Sequence, residues 1–205
     1  LEVIAEIVDG MEPMDPSDED CDGTVDNVAP ACDDGLAMNA SSALAGARSI
    51  ELCHQAVGPK DHGVVAADWV RANGTPAGTT QPGEQHGILA NFGPNVPSRG
   101  GASMLALSSG RARTPGQAGA CASSTCTSAT GTPPSGFPQS TANCPGSSNI
   151  NDDIGLEVTL RAPTNATGYK FDFKFYSFEY PEWVCTSYND QFIALVDPAP
   201  TGSQD

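Results

Sequence analysis

The chain has 205 residues, 39% of them hydrophobic, with 22 Gly and 17 Pro. That length can bury one sizeable core, and the Gly and Pro content favours short strands joined by turns over long helices. A net charge of −16 argues against nucleic acid and anionic membrane surfaces as partners, because both need clustered Lys and Arg.

Seven cysteines point to an oxidising compartment, extracellular or at the cell surface. No apolar run approaches the ~20 residues of a membrane span. The chain starts at Leu1 without a signal-peptide pattern, as expected of a processed, exported protein. The acidity is uneven: Leu1 to Ala47 holds twelve Asp and Glu and no Lys or Arg. Such a block either repels itself into disorder or collects cations.

Leu1–Val8 (LEVIAEIV) reads as a strand. Leu1, Val3, Ala5 and Ile7 form an apolar face, and Glu2, Ile4, Glu6 and Val8 a mixed one. Asp9–Gly35 is an acidic loop, so residues 1–35 form an N-terminal unit and residues 36–205 the main domain. Leu36–Ala56 is the best helix candidate, with Ser41 or Ser42 as caps. In 58–113 the runs VVAADWV, GILANFG and SMLALSSG read as strands between turns. Thr114–Asn151 is dense in Gly, Ser, Thr and Pro and is expected to be a long loop pinned by disulfides. LEVTLRA and TGYKFDFKFYSFEY then alternate as strands, and FIALV is the last. In the second, Tyr169, Phe171, Phe173 and Phe175 face one side and Lys170, Asp172 and Lys174 the other, so the aromatic face is expected to be core. The fold class is mainly β: an antiparallel, jelly-roll-like β-sandwich with one short helix and long disulfide-pinned loops.

The strongest local motif is Asp18-Glu-Asp20-Cys-Asp22-Gly23-Thr24-Val-Asp26. Carboxylates at alternate positions can converge on one cation where Gly23 lets the backbone turn, and oxygen ligands select calcium before magnesium. Asp18, Asp20, Asp22 and Asp26, with the carbonyl near Thr24, are the expected ligands. The alternative is a solvated acidic linker. The motif starts like an EF-hand loop but lacks the closing Glu, and it resembles the Asp-rich loops of thrombospondin type 3 repeats. A second candidate cation set is Asp152, Asp153, Glu179 and Asp190, set against ordinary turn chemistry. Cys21–Cys32 and Cys126–Cys144 are the expected disulfides, with Cys121 as a rival partner in the second.

Signals for catalysis are weak. His54, His62 and His86 form no H-E-x-x-H pair and read as surface or loop residues. Ser108-Ser109-Gly110 lacks the leading glycine of a nucleophile elbow. The expectation is therefore a protein that is not an enzyme.

Several segments carry a family resemblance. They are His86–Val96, Met104–Arg113, Ser135–Pro138, Leu156–Asn165, Phe171–Phe173, Glu179–Pro181, Cys185 and Tyr188–Phe192. Together they resemble the choice-of-anchor L domain of exported bacterial proteins over roughly 49–200. The resemblance implies an extracellular or surface-anchored β-sandwich. Members of that family continue with further strands and another cysteine, whereas this chain stops at Asp205. The implied consequences are an open sheet edge and a Cys185 without its family partner.

The expected function is a non-catalytic, calcium-stabilised extracellular module for adhesion, matrix or fibre assembly. Its expected partners are other surface or matrix components, and a second copy through Leu1–Val8, unless that strand folds back onto its own sheet. The alternative is a carbohydrate- or other ligand-binding module, and a hydrolase stands behind both.

Overall fold

A computed structural model describes residues 31–78, 82–122, 126–127, 129–139, 142–144, 149–188 and 190–199. Residues 9–30 of the acidic loop, including Asp18, Asp20, Cys21, Asp22, Thr24 and Asp26, lie outside them, as does Leu1–Val8.

The described residues are mainly β. Two short helices, α1 (Ala43–Arg48) and α2 (Pro82–Gln85), accompany six strands: β1 (Gly63–Val70), β2 (His86–Leu89), β3 (Met104–Leu107), β4 (Thr130–Gly131), β5 (Ile150–Asn151) and β6 (Gly155–Arg161). They pair antiparallel as β1 with β6, β2 with β3, and β4 with β5. The β class and antiparallel pairing agree with the sequence pattern, although each ladder is only two strands wide.

The expected helix over Leu36–Ala56 shortens to one and a half turns for a local reason. Leu52 N–H bonds Ala47 O, Glu51 N–H bonds Arg48 O, and Glu51 takes φ +63°. That is a Schellman closure, normally completed by glycine, which satisfies the last carbonyls and turns the chain back. Ser42 precedes the helix with extended backbone and makes no side-chain cap.

The turn sets the disulfide pattern. It returns Cys53 to Cys32, with 5.6 Å between their Cα atoms, and those two are bonded. Cys121 bonds Cys126, and Cys144 bonds Cys185. Cys32 and Cys144 are thus in disulfides as expected but with other partners, Cys126 takes the rival partner Cys121, and Cys185 is paired. The expected pairs came from loop neighbourhood, whereas the actual ones follow the reversal after α1 and the return of 180–188 toward the 142–144 segment. Connectivity of this kind cannot be read from cysteine spacing.

The core forms where α1 covers the β1–β6 ladder. Ala43, Ala47, Val64, Ile88, Leu89 and Ala112 are buried. Trp69 of β1 lies against Gly46, where an added Cβ would come within 2.7 Å of the indole. On its other side Trp69 stacks on His86, at 3.9 Å between ring centroids and 18° between planes. The indole N–H donates to Ser41 O, and His86 Nε2 bonds Ala40 O. His86 is therefore a packing residue, only 1% exposed, in place of the surface histidine expected. Strand β2 is buried along its whole length, which explains its apolar run.

A second anchor lies beside Cys32. The Asp33 carboxylate is 2% exposed and accepts hydrogen bonds from Ala102 N, Ser103 N and Ser103 Oγ. Burial pushes its carboxyl up, but those bonds outweigh burial and hold it below the usual aspartate range. Gly101, at φ +58°, leaves room for this contact, since a Cβ there would stand 2.6 Å from Asp33 Oδ2.

One large expectation is corrected. Residues 169–180 and 192–196, read as strands with a core aromatic face, pair in no ladder. No backbone hydrogen bond among the described residues ties Lys170–Phe178 to a neighbour. Alternation supplies a face, but a strand also needs a partner backbone. The preceding stretch is rich in Gly, Ser and Pro, and prolines such as Pro133, Pro134 and Pro138 have no N–H to donate.

Candidate functional site

This segment, in no ladder among the described residues, is the chief candidate. Phe171, Phe173, Phe175, Tyr176 and Phe192 are each between 45% and 59% exposed. Phe171, Phe173 and Phe175, placed by alternation on one face, thus keep about half of each surface without cover. The rings do gather: Phe173 stacks on Phe192 at 4.5 Å, and Phe171 lies 6.0 Å from Phe173 and 6.3 Å from Phe192. Tyr176 reaches Phe92 at 5.4 Å, and Arg99 approaches Asp172 at 3.6 Å. A groove of about 430 Å³ runs between Phe137, Phe173, Phe175 and Phe192, with Gln139, Asp190 and Gln191 supplying its polar wall. Offset rings with exposed faces form a surface that an apolar side chain or a flat ligand can cover.

Among the described residues, no three of the carboxylates of the second cation set converge. Asp152 and Asp153 act as backbone staples. Ala129 N donates to Asp152 Oδ1, Ala72 N donates to Asp153 Oδ2, and Arg71 bonds Asp153 O. Burial raises the Asp152 carboxyl above the usual range. Glu179 and Asp190 do meet, through Asp190 N–H donating to Glu179 Oε2. Burial first, and then the Asp190 charge, push the Glu179 carboxyl up. Asp190 is further held by Ser177 Oγ and Ser109 Oγ. The sequence reading of a four-carboxylate cation site is thus replaced by two separate pairs that tie loops together. Strand-end position alone does not say which carboxylates face each other.

The side chains that do converge are ones the sequence reading set aside. His54, Asp61 and His62 place one ligand atom each within 4.8 Å of the others. The signal was present as two His and an Asp within nine residues, between Cys53 and the sharp turn at Gly63, but periodicity does not reveal a loop that closes on itself.

Compared with protein-family models, curated proteins and solved structures, the chain matches none. The resemblance to the choice-of-anchor L domain therefore rests on its quoted segments alone.

Proposed function

We propose that this chain is an exported, non-catalytic structural module that assembles by adding a strand from a second copy to its exposed aromatic segment. The observation that carries this reading is the half-exposed ring cluster on a segment that makes no backbone hydrogen bond to another of the described residues. Three disulfides, and the absence of any long apolar helix among the described residues, are compatible with an extracellular setting. The surface β-module implied by the family resemblance is the same kind of protein.

Leu1–Val8 suits the segment chemically. Run antiparallel to Tyr169–Phe175, it sets Leu1, Val3, Ala5 and Ile7 opposite Phe175, Phe173, Phe171 and Tyr169. The same register sets Glu2 opposite Lys174 and Glu6 opposite Lys170. The apolar face and both Glu–Lys pairs therefore match at once, with Ile4 falling opposite Asp172, and a one-residue slip destroys that match. Burying about 100 Å² at each of four rings contributes on the order of 10 kcal/mol before the costs of association. The linker of some two dozen residues from Asp9 to Ala31 reaches a neighbour easily at up to ~3.3 Å per residue. Head-to-tail repetition of that contact gives a fibre.

Sedimentation of the intact chain should show species growing with concentration, and deleting residues 1–8 should leave monomers. If the truncated chain still assembles, or the intact chain stays monomeric at high concentration, strand donation is excluded.

Calcium belongs to the same reading, at Asp18, Asp20, Asp22 and Asp26 with the Thr24 carbonyl. Clustered carboxylates repel without a cation. Chelation is expected to lower the melting temperature and speed proteolysis within 9–35. Unchanged melting and cleavage would remove calcium from the account.

A second reading, carbohydrate binding, is favoured by the groove at Phe137, Phe173, Phe175 and Phe192 with its amide and carboxylate wall. Titration with soluble oligosaccharides tests it, and saturable shifts in the Phe173 and Gln191 resonances would support it over assembly.

A further inference from the structure

The loop from His54 to His62 is closed and clamped at both ends. Just before it, Cys53 is bonded to Cys32. At its mouth His54 O accepts Val64 N–H at 2.8 Å, and Ala56 N–H donates to Val64 O at 2.9 Å. Gly63 at φ +113° makes the close approach, because a Cβ there would lie 2.3 Å from His54 O. From β6 the Arg161 guanidinium reaches into the loop and donates to Gly58 O and to Asp61 O. The loop backbone is thus fixed by strand pairing, a disulfide and a bridging guanidinium.

Within that frame the three side chains are already aimed at one another. His54 Nε2 lies 3.0 Å from Asp61 Oδ1, and His62 Nδ1 lies 3.9 Å from the same oxygen. The two imidazoles stack at 4.8 Å with 15° between planes. Val57 N–H holds the other carboxylate oxygen, Asp61 Oδ2, at 2.9 Å, which fixes the carboxylate and leaves Oδ1 toward the histidines.

We propose that His54, Asp61 and His62 form a binding site for a divalent transition metal of the zinc class. Two imidazole nitrogens and one carboxylate oxygen are borderline ligands that suit Zn²⁺, Co²⁺ or Ni²⁺ and not calcium. A tetrahedral ion with bonds of about 2.0–2.2 Å needs ligand atoms about 3.3 Å apart. The His54–Asp61 pair is close to that spacing, whereas His62, with the three ligand atoms spread over as much as 4.8 Å, must turn out of the ring stack and move by more than ~1 Å to complete the set. Three protein ligands leave a fourth position open. Because the histidines are exposed, that position can take water or a donor from another molecule. Val57 and Arg161 act as positioning groups: neither touches the metal, but both hold Asp61.

The test uses the full chain and Zn²⁺ itself, with imidazole resonances observed by NMR and affinity measured by competition with a chromophoric chelator. The His54 and His62 ring signals should shift together with one-to-one saturation. His54→Gln and His62→Gln should each weaken binding at least tenfold without altering the melting temperature of the metal-free chain. Asp18→Asn with Asp20→Asn should leave this binding intact, which separates it from the acidic loop. An Arg161→Met variant, which keeps the ligands but loosens the loop, should bind more weakly than the parent. Saturable binding that survives the double variant His54→Gln, His62→Gln, or ring signals that stay unmoved by Zn²⁺, would overturn the site.

Discussion

Asp33→Ala is expected to lower the stability of the chain by about 3–5 kcal/mol, because it strands Ala102 N, Ser103 N and Ser103 Oγ without an acceptor in a buried corner. Asp33→Asn retains one acceptor oxygen and should lose less than half as much. The two variants also separate by pH. The Asp33 carboxyl is held below its ordinary range in the folded chain. Its contribution is therefore complete above the unfolded-state value of about 3.9 and disappears as pH falls through the lower folded-state value. Urea midpoints between pH 3 and 7 should fall for the parent below pH ~4, and the Asn variant should lack that share of the slope. A parent and an Asn variant with superimposable acid limbs would show that the carboxylate charge does not anchor this corner.

Removing the Cys144–Cys185 bond with paired serines is the second large effect expected. The bond closes a separation of 41 residues, and chain entropy puts its contribution at about 4 kcal/mol. Removing Cys121–Cys126, which spans a separation of 5, should lower stability by only about 2 kcal/mol. The long closure also ties 180–188 to the segment before β5, so its loss should free the turn in which Trp183 meets Tyr188 at 5.1 Å. Paired thermal melts with Trp fluorescence read both quantities. Equal destabilisation by the two serine pairs would mean that loop size does not govern these staples.

The parts of the fold that were legible are those decided by local chemistry. The runs at β1, β2, β3 and β6 carry β-branched and apolar residues between turn signals, and each became a strand within a few residues of its expected span. The helix was legible in place but not in length, since nothing in its periodicity announces that Glu51 will take the left-handed conformation and end it. The aromatic alternation of 169–175 was legible as a face but not as an exposed one, because burial depends on a partner strand and not on the segment itself. His86 shows the opposite case. A polar ring became core because Trp69 offered its face and Ala40 its carbonyl, a pairing 17 positions distant in sequence from one partner and 46 from the other. The loop cluster at His54, Asp61 and His62 was missed because its convergence depends on Arg161, supplied by the far strand of the ladder.

The pairing of Leu1–Val8 with Tyr169–Phe175 is tested most directly by exchanging charges across the proposed register. Glu2→Lys with Glu6→Lys places like charges opposite Lys170 and Lys174, and Lys170→Glu with Lys174→Glu does the same from the other side. Each pair of substitutions should weaken self-association about tenfold or more, since two cross-strand contacts change sign at up to ~1 kcal/mol each. Combining all four in one chain restores opposite charges at both positions. Sedimentation equilibrium of the three variants should therefore show two weakened proteins and a fourfold variant that assembles like the parent. A fourfold variant no better than either parent pair, or charge reversals without effect on association, would contradict strand addition in this register.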